Sequence, residues 1–241
     1  MIYIFPIGGK GKRTQTIGKW KPFIKIQDKY IFEHTLDDLS FTENDSIIFI
    51  TAKEVIPDWG VVELKRKLST LNIKQYEIII LDEVQPGPAL TVYNGLKQSK
   101  IEFKENIHII NIDQIIKYDS FELTECSGIM PLWFNSTGKS CYVTINKDKP
   151  TINHIKEKEL ISYYASSGVY IFNSLETLNK SIEWGINNSN IWVKSKDYDY
   201  TELFIGPCMT YLIINNYDVW ATTTYKKIDL GSSEQIINFK K

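Results

Sequence analysis

Cysteine and net charge are both scarce in this chain, and each scarcity removes a class of function. The three cysteines, Cys126, Cys141 and Cys208, are odd in number and have no metal-ligand spacing. That excludes a disulfide framework or a zinc site and predicts reduced, buried thiols in a cytoplasmic protein. Twenty-eight basic residues face 29 acidic ones, so no overall field draws the molecule to nucleic acid, and any positive potential has to be local. No apolar run reaches the length of a membrane span, and the opening Met1-Ile2-Tyr3-Ile4-Phe5-Pro6 lacks the basic region and cleavage site of a signal peptide. Repeats, low-complexity tracts and a clear interdomain linker are missing too. With 43% apolar residues in 241, one domain over residues 1–241 with a substantial core is expected.

What is present is an alternation of strand and helix patterns. Apolar runs predict strands at Ile2 to Phe5, Ser46 to Thr51, Glu77 to Leu81, Ile107 to Ile112, Ser140 to Ile145, Ile152 to Lys156, Tyr164 to Phe172 and Val219 to Thr223. Helical spacing falls at Ile31 to Leu39, Trp59 to Thr70, Pro88 to Lys97 and Thr201 to Asn215, with irregular connections at Trp184 to Trp192 and Asp197 to Tyr200. The fold class is therefore α/β: a Rossmann-like three-layer sandwich whose mixed, mainly parallel sheet carries its site at the carboxyl ends of strands. After Asp113 helices become rare, which predicts an added antiparallel part.

The first strand runs into Gly8-Gly9-Lys10-Gly11-Lys12-Arg13, with Lys21-Pro22-Phe23-Ile24 close behind. Residues without Cβ let backbone N–H groups approach an anion, and Lys10, Lys12, Arg13 and Lys21 add positive charge beside them. The plainer reading of consecutive glycines after a strand is a tight turn. The spacing is not that of a Walker loop, because Arg13-Thr14-Gln15 stands where Gly-Lys-Ser/Thr would be needed. Nor is it a dinucleotide fingerprint: Thr14 replaces the third glycine, and the second strand ends at Thr51 without an acidic residue.

These residues resemble the sugar-phosphate nucleotidyltransferases, whose opening signature is a strand, Gly-Gly-x-Gly-x-Arg and a Pro-Lys-Pro-Leu-Leu-Pro-like stretch, here Trp20-Lys21-Pro22-Phe23-Ile24-Lys25-Ile26. Further landmarks follow in order. Gln85-Pro86-Gly87-Pro88-Ala89 is similar to the family's second nucleotide loop, and Ile109-Ile110-Asn111-Ile112-Asp113 to its metal-binding strand end. Glu157-Lys158 with Ser167-Gly168-Val169-Tyr170-Ile171-Phe172 is similar to the sugar-phosphate segment, and Ile228-Asp229-Leu230-Gly231-Ser232 to the closing Asp-x-Gly-Thr motif. Pro6-Ile7, Lys12, Trp20 and Asn111-Ile112 depart from the usual pattern and bear on nucleotide preference and individual phosphate contacts.

The resemblance implies transfer of a nucleoside monophosphate from a nucleoside triphosphate to a sugar 1-phosphate or related phosphorylated small molecule, with release of pyrophosphate. Such an acceptor needs no general base, because the second pKa of a phosphate monoester is about 6. Positioning and electrostatic stabilisation carry the reaction. The implied roles give the backbone of Gly8, Gly9 and Gly11 to the triphosphate, Arg13 to the leaving pyrophosphate and Lys21 to the α-phosphate. Asp113 and Asp229 would hold Mg²⁺, Lys158 the acceptor phosphate and Glu157 a sugar hydroxyl, with Gly168 in the acceptor segment. Gln85 and Gly87 would meet the base, favouring a pyrimidine triphosphate. Read without the family, Asp113 and Asp229 are turn carboxylates, Lys156-Glu157-Lys158-Glu159 is a solvated edge, Gln85 caps a turn and Glu202 opens a helix. His34 and His108 are packing residues and stay outside the site. The aromatic stretch Trp184 to Phe204 suits an acceptor pocket, a buried core or an oligomer contact equally. Other readings are a cytidylyltransferase for a non-sugar phosphate and a catalytically silent nucleotide-binding homologue. A glycosyltransferase fits less well, since Asn111-Ile112-Asp113 replaces Asp-x-Asp.

Overall fold

The computed structural model describes residues 1–119, 126–195 and 199–239, so Asp197, in the expected irregular connection, lies outside the described residues. Among them the strands are β1 (Ile2–Pro6), β2 (Lys25–Ile26), β3 (Lys29–Tyr30), β4 (Ser46–Ala52), β5 (Gln75–Leu81), β6 (Ile107–Ile110), β7 (Gln114–Tyr118), β8 (Gly128–Phe134), β9 (Cys141–Ile145), β10 (Ile152–Glu157), β11 (Tyr164–Ser166), β12 (Val169–Phe172), β13 (Val193–Lys194), β14 (Thr201–Glu202) and β15 (Val219–Asp229). The helices are α1 (Ile31–Asp38), α2 (Asp58–Leu68), α3 (Pro88–Leu96), α4 (Leu175–Asn187), α5 (Ile205–Cys208), α6 (Thr210–Ile214) and α7 (Ser233–Phe239).

One large sheet runs in the order β10-β9-β11-β8-β12-β6-β1-β4-β5. Its β6-β1-β4-β5 end is parallel, while β12, β8, β11, β9 and β10 extend it with antiparallel pairs. The sheet is mixed, as expected, and its antiparallel part is larger than the strand–helix alternation suggested. β1 and β4 are apolar at nearly every position because both of their faces are covered. Ile2, Ile4, Ile48 and Ile50 pack on the side of Val92 and Leu96 from α3 and Leu178 and Ile182 from α4. Tyr3, Phe5, Ile47 and Phe49 pack on the side of Phe32 and Leu36 from α1 and Leu64 and Leu68 from α2. Each such side chain contributes roughly 1.5–3 kcal/mol when fully buried, and the alternation along each strand makes the three layers.

Several expected boundaries are corrected. The run expected as one strand from Tyr164 to Phe172 is split into β11 and β12, because Gly168 between them adopts φ 84°. Trp184 belongs to α4, which the expected irregular connection did not include; Ser174 caps that helix by accepting the Thr177 N–H at 3.2 Å. The expected helix from Thr201 to Asn215 begins instead as strand β14, and Glu202 pairs across to Val193 rather than opening a helix. β7, β8 and α7 were not anticipated. β15 is also longer than expected: Val219 to Thr223 run parallel to β8, and then, past a register shift between Thr224 and Lys226, the strand pairs antiparallel with β7 and sets Asp229 opposite Gln114. Cys126, Cys141 and Cys208 are buried, as expected, and no disulfide joins them among the described residues.

Candidate functional site

The glycine loop leaves β1 at its carboxyl end. Gly11 takes φ 59°, and a Cβ there would come within 3.0 Å of the Lys21 Cβ, so both backbone conformation and crowding call for glycine. Thr14 locks the turn, donating from its N–H (3.0 Å) and its hydroxyl (2.9 Å) to the Gly11 carbonyl. Gly8 lies close to Thr91 of α3, where a Cβ would meet the Thr91 methyl at 3.3 Å. Gly9 is exposed, and a Cβ there would meet nothing within 4 Å. Among the described residues no acceptor is hydrogen-bonded to the N–H groups of Gly8, Gly9 or Gly11. Of the loop cations, Lys10 turns to Glu54 at 3.2 Å, and the Arg13 carbonyl accepts from Ser233 of α7 at 3.1 Å.

Lys21 is set by a single 3₁₀ turn, Lys21–Phe23, with Pro22 inside it. Phe23 stands edge-on to Phe32 and Trp59, and Trp20 is edge-on to Trp59 at 6.0 Å. The tryptophan that departs from the family pattern is thus an anchor for the turn. The Lys21 ammonium forms an ion pair with Asp113 Oδ2.

Asp113 sits between β6 and β7, at the carboxyl end of the strand beside β1. Two distant groups fix it there. The Asp113 carbonyl accepts the Leu230 N–H at 2.7 Å, and the Thr35 hydroxyl of α1 lies 2.6 Å from the carbonyls of both Ile112 and Gln114. A Cβ on Gly231 would stand 2.9 Å from Asp113 Oδ2. Burial pushes the Asp113 carboxyl up, but Lys21, Lys227 and Arg13 together outweigh it and hold the group at about 2. Asp229 is one step away across the β7–β15 ladder and accepts from Lys227 Nζ at 2.6 Å. Asp113 Oδ1 and Asp229 Oδ2 have no partner among the described residues. Two adjacent carboxylates with open oxygens suit a hard divalent cation that takes its other donors from substrate and water. No third His, Cys, Asp or Glu joins them among the described residues.

The acceptor candidates lie toward the other edge. Glu157 ends β10 opposite Cys141, and Lys158 follows in the left-handed region at φ 57°, its N–H donating to the Ser140 carbonyl at 2.8 Å. The Lys158 ammonium stands 4.4 Å from the centre of the Phe204 ring. Burial pushes the Glu157 carboxyl up to about 7; Lys158 and the Cys141 thiol pull it back, and Glu202 adds to the rise. The expected solvated edge therefore holds for His154, Lys156 and Glu159, which are exposed, but not for Glu157. Gly168 packs instead against Asn111 and Gln114, near the end of β6 and the start of β7. Its carbonyl accepts from the Asn111 N–H at 2.9 Å, and a Cβ there would meet the Asn111 amide at 2.8 Å.

In the second loop, Gly87 at φ 107° is demanded by the chain itself, since a Cβ would come within 2.4 Å of the Leu203 carbonyl oxygen. Gln85 donates to the Glu83 carbonyl at 3.0 Å and accepts from Asn94 at 2.8 Å, which leaves one amide hydrogen and one lone pair. His34 stacks edge-on to Phe239 and His108 is buried against Tyr118, so both are packing residues as expected. Sequence reasoning missed Thr35, Gln114 and Lys227. The signal for Lys227 was there, because residues two apart on a strand share a face and Lys227 precedes Asp229 by two.

No family model matches this sequence, and no curated protein does. The fold, however, is that of solved nucleotidyltransferases. A nucleoside-diphosphate-sugar pyrophosphorylase from Vibrio cholerae RC9 superposes with a TM-score of 0.86 over 100% of this chain and 99% of its own, at 21% identity. The inositol-1-phosphate CTP transferase of T. maritima gives 0.68 over 97% and 90% at 14% identity. HddC from Yersinia pseudotuberculosis, complexed with GMP-PN, gives 0.63 over 99% and 97% at 19%.

Proposed function

We propose that residues 1–241 form one Mg²⁺-dependent nucleotidyltransferase domain that moves a nucleoside monophosphate from a nucleoside triphosphate to a sugar 1-phosphate or related phosphorylated small molecule. One observation carries the reading. The glycine loop, Lys21, Asp113 and Asp229 come from four separate segments and meet at the carboxyl ends of β1 and β6. The similarity in fold to solved enzymes of this kind supports it.

In this reading the N–H groups of Gly8, Gly9 and Gly11 receive triphosphate oxygens, and the open space over Gly9 lets them come close. An acceptor phosphate oxygen forms a bond to the α-phosphorus while the bond to pyrophosphate breaks. Lys21 neutralises the α-phosphoryl oxygens, and Arg13 takes the charge growing on pyrophosphate. Asp113 and Asp229 would hold Mg²⁺, which when bound supplies charge neutralisation on the phosphates. Lys158 grips the acceptor phosphate and Glu157 accepts a hydroxyl of the acceptor. Gln85, with an amide hydrogen and a lone pair to spare, suits the edge of a pyrimidine base. The buried thiols, outside any disulfide among the described residues, fit a cytoplasmic setting.

The test is pyrophosphate release, with each common nucleoside triphosphate offered against several phosphorylated acceptors, with Mg²⁺ and with EDTA. Release with a sugar 1-phosphate and loss under EDTA are expected. Release with CTP and a non-sugar phosphate alone would shift the acceptor class. Nucleotide binding without any release would mark a silent homologue, and unchanged release under EDTA would remove the metal.

A further inference from the structure

Lys227 has no place in the roles assigned above, yet it is bonded to one of the two candidate metal ligands. Its side chain is only 8% exposed. The ammonium donates to Asp229 Oδ1 and to Gln114 Oε1, each at 2.6 Å, and stands 4.9 Å from the centre of the Trp133 ring. Gln114 is itself buried and reaches the Gly168 carbonyl at 3.4 Å. Lys21 is different: it stands on a one-turn element and pairs with a single carboxylate oxygen, so it can swing to a phosphate. Lys227 projects from a paired strand and is enclosed by amide, carboxylate and indole.

We propose that Lys227 is a resident cation that lowers the affinity of the nucleotide-free site for divalent ions, so that the metal is retained only when polyphosphate oxygens join Asp113 and Asp229 as donors. This rests on the reading of those aspartates as metal ligands. A fixed positive charge already bonded to one of two ligands neutralises that ligand and repels a second cation at close range. Phosphate oxygens restore the missing negative charge.

The experiment is titration of Mn²⁺ into the nucleotide-free protein, with free Mn²⁺ read from its electron paramagnetic resonance signal. Lys227→Met and Lys227→Gln should each bind Mn²⁺ at least about tenfold more tightly than wild type, while Lys227→Arg stays within about threefold. The glutamine variant keeps an amide donor toward Gln114 and Asp229, so it decides the matter if the methionine variant does not fold. Unchanged or weaker Mn²⁺ binding in the folded uncharged variants overturns the proposal. So does failure of both to fold, which would make Lys227 a structural cation. A second arm adds a non-hydrolysable nucleoside triphosphate and compares wild type with Asp113→Asn. If that substitution leaves Mn²⁺ retention in the nucleotide complex unchanged, it is the metal-ligand reading itself that fails.

Discussion

Asp113 and Glu157 each follow or end a strand of the same sheet, and their acidities move in opposite directions. Burial raises both. At Asp113 three cations outweigh it and the group is held at about 2, whereas at Glu157 burial prevails over one lysine and a thiol, and the group rises to about 7. The difference teaches how neighbouring charge decides the sign of a buried carboxyl's shift. The first is an ionic cluster in which Asp113 stays ionised near neutral pH, and in the proposed reading it meets polyphosphate and metal. The second is a half-buried carboxyl that titrates in the physiological range, suited to the hydroxyls of a neutral ring.

The largest effects should come from the ionic end. Arg13→Ala and Lys21→Ala are each expected to lower kcat by roughly 10²-fold or more, because a charge aimed at the transition state is lost. Steady-state pyrophosphate release checks this, and near-wild-type turnover in both variants would falsify the placement of these cations.

At the other end the loss should appear in acceptor binding. Lys158→Ala is expected to raise the acceptor KM by roughly tenfold while nucleotide affinity, measured by calorimetry, stays within a few-fold. A large fall in nucleotide affinity would erase the division between the two ends.

The titrating carboxyl gives a smaller, pH-resolved effect. Glu157 is neutral below about 7 and ionised above it, so the acceptor KM should fall severalfold as pH rises through about 7, and Glu157→Gln should flatten that profile. Stability carries the opposite sign. The folded state holds this proton between about 4.5 and about 7 while the unfolded chain has released it, so the contribution of Glu157 to stability declines as pH rises through that window. Urea melts of wild type and Glu157→Gln at pH 5 and 8 measure it; a parallel pH dependence in the two proteins contradicts the shift.

The smallest expected effect lies at Gln85. Two of its amide contacts are already taken by Glu83 and Asn94, so Gln85→Ala should change the ratio of kcat/KM between pyrimidine and purine triphosphates by only a few-fold. An unchanged ratio assigns base reading to another group.

Most of the ionic end was legible in the chain, because its groups lie within short segments whose residue types state their chemistry. The strand into Gly8-Gly9-Lys10-Gly11-Lys12-Arg13 and the Lys21-Pro22 turn are local patterns, and the structure keeps them local. The alternation of apolar strands and amphipathic helices likewise foretold three layers, since side-chain periodicity is a local property. The acceptor end was harder. β8 was hidden in Gly128-Ile129-Met130-Pro131, a run with a glycine and a proline that argue against a strand by propensity, although pairing with three strands, β11, β12 and β15, stabilises it. Glu157 read as part of a charged, solvated run because nothing in Lys156-Glu157-Lys158-Glu159 records the Cys141 strand beside it.

The sequence by itself thus determined the layers and the phosphate-type loop, which follow from nearest-neighbour sterics and periodicity, while the candidate carboxylates were implied only by the family resemblance. Only the tertiary structure decided that Asp229 lies across from Gln114, that Thr35 buttresses Asp113, that Gly87 is a glycine because Leu203 crosses it, and that Lys227 is bonded to both Asp229 and Gln114. The reason is physical: charge and acidity depend on distances of a few ångströms through space, and those distances join residues as far apart as 220 positions along the chain.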